Sequence, residues 1–184
     1  MKTKRFVLCL FTALLLAGIC CISCGNISRA KAENNSSMEV EDFNTFLEKF
    51  TSSAAYQYER IKFPLKTPIT LLTDDGNSEK TFPFTKEKWP LLDGETLKVE
   101  RITQDEGGIY VSQFTLDEPA HKVFEAGYEE SEIDLRVEFE LIGDKWYVTD
   151  CYTGWYGFAL PISELKETIQ QVQEDNKTFK EIHP

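Results

Sequence analysis

Residues 132–153 read EIDLRVEFELIGDKWYVTDCYT, and they decide the fold. Ile133, Leu135, Val137, Phe139 and Leu141 alternate with Glu132, Asp134, Arg136, Glu138 and Glu140. Period-two alternation gives a strand with one face in a core and the other in water. Gly143-Asp144 suits a two-residue hairpin loop, which sets Ile142 opposite Lys145. Counting outward predicts the pairs Leu141 with Trp146, Phe139 with Val148, Val137 with Asp150 and Leu135 with Tyr152. On that register Asp150 projects onto the apolar face, while Cys151 lies on the water face near Arg136.

Working outward, Asp74-Asp75-Gly76-Asn77, Asp93-Gly94, Gly107-Gly108 and Gly127 separate further runs rich in Val, Ile, Thr and aromatics. These predict the remaining strands of an antiparallel sheet. Ahead of them, Val40, Phe43, Phe46, Leu47 and Phe50 recur at helical spacing behind Ser36 and Glu39, which have the form of a capping box. Ser52 or Ser53 can cap a second short helix, which Pro64 forces to stop near Phe63. A last helix is expected from Pro161, with Ile162, Leu165, Ile169 and Val172 on one stripe, and a loosely held tail from Asn176.

The N-terminus reads as an export signal. Lys2, Lys4 and Arg5 precede an apolar run from Phe6 to Ile19, too short for a comfortable membrane span. Cys21-Ile22-Ser23-Cys24 fits a lipoprotein processing box in its last three positions, so the signal peptide is expected at 1–23, with Cys24 as the acylated first residue of the mature chain. A plain secreted protein is the alternative. Residues 24–38, poor in anything that packs, read as a flexible tether reaching roughly 20 Å. Residues 39–184 then form a single domain.

Cleavage leaves Cys24 and Cys151 of five cysteines, and acylation of Cys24 leaves Cys151 no partner, so the domain depends on its hydrophobic core. It also removes three of twenty basic residues and none of 31 acidic ones, taking the net charge from -11 to -14. That balance argues against nucleic acid and against electrostatic adhesion to anionic lipid, leaving the acyl chains as the membrane attachment.

Two segments together carry a resemblance: the Phe43, Phe46, Phe50 helix running into Tyr56-Gln57-Tyr58-Glu59-Arg60-Ile61-Lys62-Phe63-Pro64-Leu65, and the hairpin from Phe139 to Val148 with Trp146. They resemble an uncharacterised family of lipoproteins from Gram-negative gut bacteria, similar to the nuclear transport factor 2-like, cystatin-related fold. The resemblance implies an α+β fold: a strongly curved antiparallel sheet wrapped around N-terminal helices into a cone, with an added C-terminal helix. It implies no activity, since that superfamily holds enzymes and binding modules alike.

Candidate chemistry is sparse. A carboxylate at Asp150 among Val137, Val148 and Tyr152 has to be hydrogen-bonded, paired with a cation such as Arg60 or Arg101, or protonated. Asp150 and Tyr152 are therefore the candidate pocket residues, against the plainer reading of a satisfied structural acid. Trp155 and Tyr156, between Gly154 and Gly157, are a candidate aromatic platform for a sugar or an apolar ligand, although aromatics more often complete a core. Cys151 lacks the neighbours of a nucleophile, and His121 has no zinc spacing. Asp74 to Asn77 fit a hairpin turn better than a calcium loop, and no cofactor motif is present.

The functional expectation is a membrane-anchored, non-enzymatic binding or assembly module of the cell envelope, meeting an unknown small molecule or envelope protein. A small-molecule lyase or isomerase using Asp150 needs a cavity beside that residue, and a surface glycan-binding accessory protein needs Trp155 and Tyr156 exposed. The stretch after Cys24, Gly25-Asn26-Ile27-Ser28, lacks acidic residues, which favours the periplasmic side of an outer membrane over the cell surface.

Overall fold

A computed structural model describes residues 39–103 and 108–184. The signal peptide, Cys24, the tether, Ser36 and Gly107 lie outside those residues. The domain begins with α1 (Phe43–Ser52) and α2 (Ala54–Glu59). A two-stranded hairpin follows, β1 (Ile69–Leu72) and β2 (Glu79–Phe82), turning through Asp74 to Asn77. Five antiparallel strands come next, β3 (Glu100–Thr103), β4 (Ile109–Asp117), β5 (His121–Tyr128), β6 (Ile133–Ile142) and β7 (Lys145–Thr153). They pair in chain order as an open sheet with β3 and β7 at its ends, and α3 (Leu165–Ile182) closes the chain. This is the expected α+β arrangement of antiparallel sheets with an added C-terminal helix. Among the described residues no helix is long and apolar enough to cross a membrane.

The first helix starts later than its apolar spacing suggests. Asp42, not Ser36, is the cap, its carboxylate accepting from the Thr45 backbone N–H at 2.9 Å, and Val40 lies exposed ahead of it. Glu41 instead ties this segment down: its carboxylate accepts from Arg60 (2.8 Å), Tyr56 (2.8 Å) and the Trp146 backbone N–H (2.9 Å). Burial pushes the Glu41 carboxyl up, but those hydrogen bonds and the Arg60 charge hold it below its ordinary value. Phe46 and Phe50 are fully buried, each edge-on to Phe139 at 6.0 and 6.2 Å, so α1 packs on the inner face of the sheet. Burying each ring contributes about 1.5–3 kcal/mol.

The chain after α2 runs as a strap along the outer margin of β7. Val148 N donates to Arg60 O (2.9 Å), Lys62 N to Val148 O (2.9 Å) and Lys66 N to Thr149 O (3.2 Å). Satisfying the backbone of an end strand in this way removes a free sheet edge.

The β6–β7 hairpin turns at Gly143-Asp144 as expected, with Gly143 at φ 70°, the positive value a two-residue loop favours at its first position. Its register holds from Ile142↔Lys145 to Phe139↔Val148 and then slips, because Glu138 pairs with Asp150 and Thr149 is an extra residue. Such a bulge exchanges the two faces of the strand beyond it. Val137 therefore faces Cys151, and Leu135 faces Thr153, where Asp150 and Tyr152 were expected. Cys151, 3% exposed, joins the core instead of meeting water, and Asp150 leaves the apolar face.

Two further expectations change. Gly127 marks no turn; it sits within β5 at a register shift, where a Cβ would meet Ile133 Cα at 3.0 Å. The tail from Asn176 is not loose, since α3 continues to Ile182 with Asn176 and Phe179 buried, and Ala54 N donates to His183 O at 3.1 Å.

Candidate functional site

Asp150 is 5% exposed and fully engaged. Its carboxylate accepts from Thr67 N (3.0 Å), Thr67 Oγ1 (2.7 Å) and Cys151 N (3.0 Å), with Arg136 Nη1 at 3.6 Å. Thr67 arrives at the end of the strap, so the acid pins the strap to β7. Arg60 and Arg101, the cations suggested by sequence, go to Glu41 and Glu129. Tyr152 sits opposite Arg136 and lines an apolar pocket of about 210 Å³ with Ile69, Phe84, Cys151 and Phe158, which Asp150 does not line. Asp150 and Tyr152 thus do not meet in one cavity. Burial, then the Asp150 charge, pushes the Cys151 thiol well above the ordinary range, which makes it inert at neutral pH.

The short turn Gly154–Tyr156 sends its two aromatics to different places. Trp155 is 43% exposed; Tyr156 is 4% exposed, packs edge-on to Phe84 at 5.6 Å and donates its hydroxyl to Lys88 O at 2.9 Å. The two rings form no shared platform, because a 3₁₀ turn advances about 120° per residue.

Trp155 opens onto a cleft of about 660 Å³. Glu100 (β3), Tyr110 and Ser112 (β4), Asp134 and Leu135 (β6) and Thr153 form one side, and the loop Pro90–Thr96 the other. The loop is held by buried side chains from the helices. Gln57 Nε2 donates to Leu92 O (2.6 Å), and Gln57 Oε1 accepts from Leu92 N (3.1 Å) and Trp89 Nε1 (3.2 Å). Asn176 accepts from Leu91 N (2.8 Å) and donates to Trp89 O (2.8 Å). Such satisfied buried networks fix a loop in one conformation. On the opposite wall the Ser112 hydroxyl donates to Lys98 O (2.6 Å) and accepts from Glu100 N (3.2 Å), so it is occupied. Tyr110 packs edge-on to Tyr128 at 5.2 Å; burial, then the Asp134 charge, raises its phenol above the usual value.

Tyr110, Glu100 and the Pro90–Thr96 wall escaped the sequence reading. Tyr110 carried a weak signal, an aromatic at the head of a strand, but the wall carried none, since side chains distant in sequence set its position. A second cluster escaped for a similar reason. The β5–β6 register sets His121 opposite Glu140 and brings Nε2 to 2.7 Å from Glu138, with ligand atoms of all three within 4.8 Å. Lys66 is already bonded to Glu140 and Arg136 to Glu138 (3.1 Å), so the chain's own cations stand where a metal ion would.

A protein-family model whose description reads "-like:-like" matches residues 41–180. Among solved structures, a cystatin-like protein from Bacteroides caccae is 78% identical, with a TM-score of 0.78 over 80% of this chain and 98% of its own. A protein from Bacteroides ovatus is 76% identical (TM-score 0.74; 80% and 96% covered), and one from Bacteroides uniformis 70% (0.76; 79% and 99%). No curated protein matches the chain. These relatives, 70–78% identical, were solved as chains of nearly this domain's extent, so the fold forms in them without a longer N-terminal segment.

Proposed function

The chain belongs to the Bacteroides family that includes the cystatin-like protein of Bacteroides caccae, and from that premise we propose a lipid-anchored, non-enzymatic binding module of the cell envelope whose ligand enters the Trp155 cleft. The observation that carries this reading is the cleft itself. It is large enough for a small molecule, is walled by a rigidly held loop, and offers an exposed indole beside a half-buried phenol. The finer architecture we assign is the nuclear transport factor 2-like cone, with the sheet curved around α1. Its support is the packing of Phe46 and Phe50 on Phe139 and a cleft on the same inner side.

The anchor rests on the sequence: the basic start, the apolar run and the box ending at Cys24. Residues 25–28 favour the periplasmic face of an outer membrane. The lyase or isomerase alternative is weaker, because Asp150 is spent on the strap and lines neither cleft. The glycan-binding alternative keeps one supporting observation, the exposed Trp155, and lacks its second ring.

The test has two arms. Cells expressing the full chain are fed an alkyne-tagged palmitate; label is expected on wild type and absent from Cys24→Ala, and equal label or none on both overturns the anchor. Residues 36–184 and a Trp155→Ala variant are screened by melting temperature against a small-molecule library. Ligands that raise the wild-type Tm and leave the variant unmoved support the cleft, and ligands that raise both equally remove it.

A further inference from the structure

We infer that the cleft takes an organic cation: a ligand with an ammonium or guanidinium group on a flexible apolar stem. The inference rests on the cleft being the binding site and names the chemistry that site selects.

Its walls carry three carboxylates, Glu95, Glu100 and Asp134, and no lysine, arginine or histidine. Lys98, just outside, lies 3.3 Å from both Glu95 and Glu100, so two of these acids share one cation. Asp134 has no cation within 4.0 Å among the described residues, and it is an exposed residue that lines the cleft. An anionic ligand would meet uncompensated repulsion here. A neutral sugar can donate hydroxyls to these acceptors but leaves their charge uncompensated, whereas a cation satisfies the charge directly.

The aromatic groups point the same way. Trp155 and Tyr110 both line the cleft, and an aromatic ring attracts a cation within about 6 Å of its centroid. Burial raises the Tyr110 phenol first, and the charges of Asp134, Tyr128 and Glu100 add to that shift, which places these acids close enough to the ring to act on it. Pro90 and Leu91 on one wall and Leu135 on the other supply apolar lining for a methylene stem, as protein surfaces do for lysine and arginine stems. The acidic balance of the whole chain adds long-range attraction for such ligands.

Residues 36–184 are titrated by calorimetry with spermidine, the tripeptide Lys-Lys-Lys, neutral maltotriose and anionic citrate, at about 20 and 150 mM salt. A cationic probe is expected to bind at one site and to weaken about tenfold in Asp134→Asn and in Trp155→Ala. Binding by Glu181→Gln, which removes an exposed acid on α3, should match wild type. Preference for spermidine assigns a free polyamine, and preference for the tripeptide assigns a basic peptide side chain. Equal weakening by Glu181→Gln means diffuse surface attraction and overturns the inference. Maltotriose binding that needs Trp155 overturns the ligand class while leaving the cleft as the site. Binding of every probe unaffected by Trp155→Ala removes both.

Discussion

Replacing Asp150 with leucine should cost the domain about 4 kcal/mol, and replacing it with asparagine about half that. The carboxylate is 5% exposed and accepts three hydrogen bonds of 2.7 to 3.0 Å from Thr67 and Cys151. Each hydrogen bond to a charged group contributes about 1.5–3 kcal/mol, and leucine would leave all three donors unpaired in a covered site. The three do not add in full, since loss of one loosens Thr67 for the others, and the leucine side chain recovers part through apolar burial. Asparagine keeps the Oδ1 that serves the two backbone N–H groups and loses mainly charge. Urea unfolding of residues 36–184 checks both, with unchanged slope as the sign that compactness is unaffected. Hydrogen exchange at Thr67 should accelerate in the leucine variant alone. A leucine variant as stable as wild type would refute the assignment of Asp150 as a satisfied structural acid, and would reopen a function held there at a cost to folding.

Gln57→Leu, nearly isosteric, should lose about 3 kcal/mol and broaden the Trp89 indole NMR signal, because Trp89 Nε1 and both backbone groups of Leu92 lose their partner; a sharp, unshifted indole would show the cleft wall is held otherwise. Glu41 has a folded pKa below its ordinary 4.5, so its contribution is complete above that pH and is lost as pH falls through the folded value. The stability difference between wild type and Glu41→Gln should therefore be flat from pH 6 to 8 and shrink below about 4.5, and a difference that grows on acidification would reverse the sign. Cys151 should resist a water-soluble disulfide reagent at pH 8 until urea unfolds the domain, since its thiol is buried and its pKa raised; labelling within seconds would contradict the slipped β6–β7 register.

The alternation in 132–142 made β6 legible, and Gly143-Asp144 gave the turn and the first pairs of β7. Beyond Val148 the register failed because nothing in Val-Thr-Asp-Cys announces a bulge; the extra residue is set by the strap, whose Lys66 N–H bonds Thr149 O. Helix α1 was legible from its aromatic spacing, yet its cap was misplaced, because Glu41 is occupied by Arg60, Tyr56 and Trp146, far along the chain. The polar composition after Asn176 hid a buried amide with two backbone partners. In the cleft, Trp155 was visible as an aromatic between glycines. Tyr156 was indistinguishable from it until a 3₁₀ turn put one ring out and one in. Asp134 sat unnoticed in the water-facing half of β6, since only the fold brings Trp155 and the Pro90–Thr96 loop across from it.

The strap along β7 also limits how molecules of this chain can associate through their main sheets. Lengthening a sheet from molecule to molecule without end needs two open sides per copy, one to receive and one to offer. Here the β7 side is taken by residues 60–66, and only the β3 side, with Val99 and Ile102 exposed, is open among the described residues. Two copies meeting there exhaust each other's open side, so pairing of this kind ends at two and builds no fibre.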